Sequence, residues 1–129
     1  MDLDKIKERF REDRFAAQMG AEILEAAPGY AKCALTLVDW HRNAAGGVMG
    51  GVTFTLADFT FAVAANHEKL DTVSLVSQVS YLGRARGNRL VAEARCVKDG
   101  RSTCCYLVTV TDDLGNLVAQ VNTTGYRKA

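Results

Sequence analysis

The sequence lacks most of the features that would assign a function at a glance. Of its 129 residues one is proline and one is tryptophan, and 8% are aromatic. Lys and Arg number 16 against 15 Asp and Glu, leaving a formal net charge of +1. That balance supplies no electrostatic case for nucleic acid or an acidic membrane as a partner. The start, MDLDKIKERFREDRF, is charged throughout and has no apolar segment of the kind a secretory leader needs, so a cytoplasmic location is expected. No run is apolar enough for a membrane span, because the longest uncharged stretch carries glycines at its start and is broken by Asp58. No linker, repeat or low-complexity segment divides the chain, so one domain over residues 1–129 is expected.

Only two histidines, His41 and His67, accompany the four cysteines Cys33, Cys96, Cys104 and Cys105. Their spacings match no zinc pattern, and neither a metal nor a cofactor is expected. Neither histidine is obviously placed to activate a cysteine nucleophile. The cysteines therefore read as small buried hydrophobes in a reducing cytosol, with Cys104 and Cys105 on opposite faces of a strand.

What is present is concentrated between Gly47 and Ala65, GVMGGVTFTLADFTFAVAA. A carboxylate within an apolar helix is unfavourable unless it has a partner or a chemical role. The pair Gly50-Gly51 opens the same helix and leaves bare backbone N–H groups for an anion or a carbonyl oxygen. Together they point to an acyl-transfer site with an acid/base or nucleophile and an oxyanion hole. A structural aspartate, hydrogen-bonded to Thr55 or to a neighbouring strand, is the competing reading.

The rest of the chain alternates legibly. Leu3, Ile6, Phe10 and Ala17 recur at helical spacing, predicting an amphipathic helix over residues 2–16. A hairpin follows: Gln18–Ala27, the turn Pro28-Gly29, then Tyr30–Asp39. His41–Met49 is a loop, and the buried helix runs from Gly50 to His67. Four strands are expected after Asp71, ending at Tyr81, Lys98, Thr111 and Tyr126, joined as an antiparallel meander by turns at 83–88, Asp99-Gly100 and 112–116. The fold class is α+β: a curved antiparallel sheet wrapped around a central hydrophobic helix.

The motif Asn43-Ala-Ala-Gly46-Gly-Val48-Met49-Gly50-Gly51, followed by Leu56-Ala57-Asp58, resembles the N-x-x-G-x-V-H-G-G…L-A-D signature of PaaI-type hotdog-fold acyl-CoA thioesterases. Val79-Ser-Tyr81-Leu82, Ala85-Arg86-Gly87, Gly100-Arg101 and Asp113-Leu-Gly115 extend the likeness, which covers residues 18–125 in order and spacing. The resemblance implies a hotdog fold, a homodimer often paired into a tetramer, and hydrolysis of an acyl-CoA substrate. It implies Asp58 as general base or nucleophile and the Gly50 N–H as oxyanion donor. By the same resemblance Asn43 positions the carbonyl or the water, and Ser74 holds the water. The family histidine is replaced by Met49, which neither titrates nor makes a strong hydrogen bond.

Gly50 and Asp58 are eight residues apart, about 12 Å of helix rise, and cannot both reach one thioester carbon. The spacing therefore predicts two composite sites across a two-fold dimer. Met49 and Gly51 flank the site, and Arg84 and Arg86, near Arg89 and Arg101, suit the phosphates of CoA, although arginines at a hairpin end are also commonly just solvated. Trp40, Met49, Phe54, Phe59 and Phe61 are candidates for an acyl pocket. A non-catalytic acyl-CoA binding or sensing module on the same fold is the alternative, favoured by Met49. A dehydratase is a third reading, weakened because no histidine is placed to pair with Asp58.

Overall fold

A computed structural model describes residues 2–128. The first departure from expectation is at the start. The expected single helix is two: α1, Leu3–Phe10, and α2, Arg14–Met19. Asp2 caps α1 by accepting the Lys5 N–H at 2.9 Å, and Ile6 and Phe10 are buried along one stripe. The chain then turns, because the N–H groups of Glu12 and Asp13 bond the carbonyls of Arg9 and Phe10 in short i→i−3 steps. Asp13 stands at the start of α2, and Gly20, in the left-handed region at φ +105°, ends it. The helical spacing of Ile6, Phe10 and Ala17 concealed this break. Strand β1 consequently spans only Glu22–Ala27.

β1 pairs with β2, Tyr30–Thr36, and a 3-10 turn at Asp39–His41 leads into the loop before α3, Gly50–Ala65. Strands β3 (Thr72–Tyr81), β4 (Arg89–Asp99), β5 (Thr103–Asp112) and β6 (Leu117–Arg127) complete the sheet. All pairings are antiparallel, and the strand order is β1-β2-β4-β5-β6-β3. α3 touches all six strands, which requires the sheet to curve around it. Leu56, Ala57 and Val63 are fully enclosed, and Phe61 meets Tyr106 edge-on at 5.2 Å.

The order corrects the expected meander. Only β4, β5 and β6 run in sequence. β3 lies beyond β6, with Tyr81 opposite Ala119, and β4 lies against β2. Residues 82–88 are thus no hairpin turn but a crossing over the β5–β6 end of the sheet. Its backbone is held there: the N–H groups of Leu82 and Gly83 donate to the Val118 carbonyl, and those of Arg86 and Gly87 to Asp112 Oδ2 at 2.8 and 3.1 Å. Asp112 also accepts from the N–H groups of Leu114 and Asn116 and from Asn116 Nδ2. These donors, the Asn116 side chain foremost, hold its carboxyl well below the usual carboxylate range.

Both sheet edges, β1 and β3, are unpaired among the described residues. β3 exposes Val73, Leu75, Val76 and Tyr81. The cysteines are all free thiols. Cys33 and Cys104 are buried as expected, but Cys105 faces outward, exposed, because it alternates with Cys104 along β5. Among the described residues no helix is long and apolar enough to cross a membrane.

Candidate active site

The site is built around the first turn of α3. Met49 occupies the N-cap position and makes no side-chain cap bond. The Gly50 and Gly51 N–H groups find no acceptor among the described residues, whereas those of Val52 and Thr53 bond the Met49 carbonyl. Two bare donors at a helix N-terminus, backed by the helix dipole, suit a developing oxyanion. A Ser, Thr or Asp cap would have competed for such donors; methionine leaves them open. Met49 itself is 56% exposed.

Asn43 shapes the loop that delivers these glycines. Its Oδ1 accepts the N–H groups of Ala45 and Gly47 at 3.0 and 3.1 Å and so caps this turn. Its Nδ2 donates to no group among the described residues. Asn43, Gly47, Gly50, Thr53, Tyr81 and Arg84 line a cleft of about 520 Å³. The Tyr81 hydroxyl donates to the Gly50 carbonyl at 2.9 Å, and a Cβ at Gly50 would stand 3.1 Å from the Tyr81 ring, which would have to shift to admit it.

His41 does not replace the missing histidine. It is buried, its Nδ1 accepts the Val38 N–H at 3.0 Å and its Nε2 lies 3.0 Å from the Met19 carbonyl, which selects the Nε2–H tautomer. Both ring nitrogens are committed to structure.

Asp58 lies on the half-buried flank of α3 in a second cleft of about 310 Å³, lined also by Asp13, Phe15, Phe54, Thr55 and Phe59. The Thr55 hydroxyl is taken by the Gly51 carbonyl at 2.7 Å, so the structural pairing with Asp58 does not form. No hydrogen bond or ion pair reaches the Asp58 carboxylate from the described residues. Burial pushes its carboxyl up, and the Asp13 charge adds to the shift. Of the acyl-pocket candidates, Phe54 and Phe59 line this cleft. Phe61 belongs to the core, and Trp40 meets the His41 ring at 4.4 Å, tilted by 53°.

One chain therefore does not bring Gly50 and Asp58 into one cleft. Ser74 lines neither: it is exposed on β3, opposite Gly125, seven residues or about 23 Å of strand from Tyr81. The arginines separate as well. Arg89 pairs with Glu22 at 3.7 Å, and Arg101 sits on the β4–β5 turn. Arg84 and Arg86 gather instead with Arg42 around a shallow, polar cleft next to the Gly50 cleft, and among the described residues no carboxylate pairs with any of the three. Arg42 and Asp13 were not singled out by the sequence. Arg42 adjoins the Asn43 motif but carries no spacing signal, and Asp13 looked like one charge on a solvated helix face.

Comparison with known proteins adds the following. The family model described as the thioesterase superfamily matches residues 45–119. A putative esterase of Archaeoglobus fulgidus is 38% identical over 128 residues, 97% of this chain and 82% of its own. Human acyl-coenzyme A thioesterase 13 is 31% identical over 102 residues, 76% of this chain and 73% of its own. A mutant of the phenylacetic acid degradation protein PaaI from Thermus thermophilus superposes with a TM-score of 0.84 at 33% identity, covering 89% of this chain and 99% of that one.

Proposed function

The chain belongs to the thioesterase superfamily, as a PaaI-type hotdog-fold member, and from that premise we propose that it hydrolyses acyl-CoA thioesters to the free acid and CoA. The observation that carries this is the pairing of an unpartnered, half-buried carboxylate, Asp58, with two unclaimed N–H groups on an uncapped helix start, Gly50 and Gly51. A relative named an acyl-coenzyme A thioesterase supports the same chemistry.

The unit is a homodimer, and the higher assembly a pair of dimers. The unpaired β3 edge, with Val73, Leu75 and Val76 exposed, is a surface that a second copy would cover. Across such a dimer Gly50 of one protomer meets Asp58 of its partner, which removes the conflict of two clefts on one chain. The thioester oxygen accepts the Gly50 N–H, with Gly51 beside it. Asp58 takes a proton from water as the hydroxide attacks the carbonyl carbon, or attacks that carbon itself to give a mixed anhydride that water then opens. In both courses the C–S bond breaks and CoA leaves as thiolate. Asn43 orients the carbonyl through Nδ2, and Ser74, near the dimer edge, holds the water. Arg84 and Arg86, joined by Arg42, receive the CoA phosphates, and Met49 contacts the thioester arm. One domain over residues 1–129 carries all of this, and its four free thiols suit the reducing cytoplasm.

A second reading, acyl-CoA binding without turnover, rests on Met49 standing where the family has histidine. Free-thiol release from a panel of aryl- and fatty-acyl-CoAs separates the two. Turnover that vanishes in Asp58→Ala establishes hydrolysis without the histidine. Affinity without thiol release, with turnover gained in Met49→His, establishes the binder. Unchanged turnover in Asp58→Asn would remove the proposed chemistry.

A further inference from the structure

We propose that Asp13, at the start of α2, is a positioning residue for Asp58: its carboxylate, uncommitted among the described residues, lines the same cleft and sets the electrostatic surroundings of the reacting group. The inference rests on Asp58 being the reacting group of the proposed hydrolysis, and it names a residue that neither the motif nor the family model's matched segment contains.

The geometry begins with the break between α1 and α2. Had the N-terminal helix run on, Asp13 would have been one more surface charge. The break places it at the head of α2, whose Ala16 and Met19 are buried and fix the helix in position beside α3. Aspartate at a helix start ordinarily accepts one of the first N–H groups. Asp13 does not: its side chain makes no cap bond and joins no ion pair among the described residues. It lines the same cleft as Asp58, with Phe15, Phe54 and Phe59 as walls.

The charged groups lining that cleft are few. α2 supplies Asp13 and Arg14, and Arg14 is paired with Glu12 at 3.4 Å. α3 supplies Asp58 alone. Of the strand residues in the core beneath α3, Cys33, Cys104 and Tyr106 titrate, and burial pushes all three above their ordinary values. Two carboxylates of one charge in one cleft repel, and solvent and salt reach the pair from the exposed Asp13 side. Asp13 is the more exposed of the two, and burial pushes its own carboxyl up as well. A base that is stronger while still ionised at neutral pH removes a proton more effectively.

The test is the titration of the Asp58 carboxyl carbon by NMR in the full chain, labelled at aspartate, for wild type, Asp13→Asn and Asp13→Glu. Asparagine keeps the size and the capping ability of the residue, and Asp13→Ser serves if that variant folds poorly. Without the charge, the Asp58 midpoint is expected to fall by about 0.3–1 pH unit, with Asp13→Glu restoring it. The difference should shrink in high salt. The acid limb of kcat/KM should move down with it, and the plateau should drop about two- to threefold. An unmoved midpoint, or a shift indifferent to salt, overturns the proposal. If the midpoint moves while no thiol is released from any acyl-CoA, the positioning role stands and the hydrolysis reading is what fails.

Discussion

The hydroxyl of Tyr81, the last residue of β3, lies 2.9 Å from the carbonyl oxygen of Gly50, the first residue of α3. The edge strand and the helix start are thereby coupled within one chain. If β3 is also the dimer seam, assembly and oxyanion geometry are joined through a single side chain.

Gly50→Ala tests that coupling. The new methyl would lie 3.1 Å from the Tyr81 ring and hydroxyl, so the ring must yield. We expect kcat/KM to fall about tenfold with the oligomeric state unchanged, since small displacements of reacting groups lower rates steeply. Tyr81→Phe should cost about 0.5–1 kcal/mol and a smaller fraction of activity. Steady-state kinetics with analytical ultracentrifugation read both effects.

Asp58→Asn should separate activity from stability. Loss of the base is expected to lower kcat by about 10²–10⁴. The folded chain raises the Asp58 carboxyl above its ordinary 3.8, so folding binds its proton more tightly than the unfolded chain does. Stability from this group is present below pH 3.8 and is lost as pH rises through the raised value. The variant should therefore melt at or above wild type at pH 7, with the gap closing as pH falls towards 3.8. Thermal melts across pH measure it, and a variant markedly less stable at pH 7 would contradict the unpartnered state of Asp58.

Met49→Ser should move stability and activity in opposite directions. Serine at the N-cap can accept an N–H in the first turn of α3, stabilising by about 0.5–1 kcal/mol. The same bond competes with the thioester oxygen for the helix start, so turnover should fall. A serine variant that gained both would show that the uncapped start is not what the substrate uses.

Alanine at Arg42, Arg84 or Arg86 should each raise KM for acyl-CoA about three- to tenfold and leave kcat near wild type. Thioesters of N-acetylcysteamine, which carry no phosphate, should be indifferent to all three. Equal losses on both substrates would place the cluster outside CoA recognition.

The central helix was legible because Asp58 interrupts an otherwise uncharged run and a glycine pair opens it; both signals are local. The strand list was legible from alternation and turns. The order of strands was not, since residues 82–88 read as a turn by composition and their partners, the Val118 carbonyl and the Asp112 carboxylate, come from far along the chain. The split of the N-terminal helix was hidden because Ala17 continues the spacing of Ile6 and Phe10 on the far side of the break. Arg42 was silent for a related reason: only the folded crossing brings Arg84 and Arg86 to it.

Asp112 draws a further consequence from that crossing. The backbone around Arg84 and Arg86 is anchored by a side chain on another strand and by the Val118 carbonyl, not by the side chains the segment displays. Those side chains are interchangeable fittings on a fixed bracket. On the proposed function, drift at positions 84 and 86 would retune which carrier is gripped while the helix start and Asp58 stay untouched, so carrier preference and bond-breaking chemistry would be free to diverge separately.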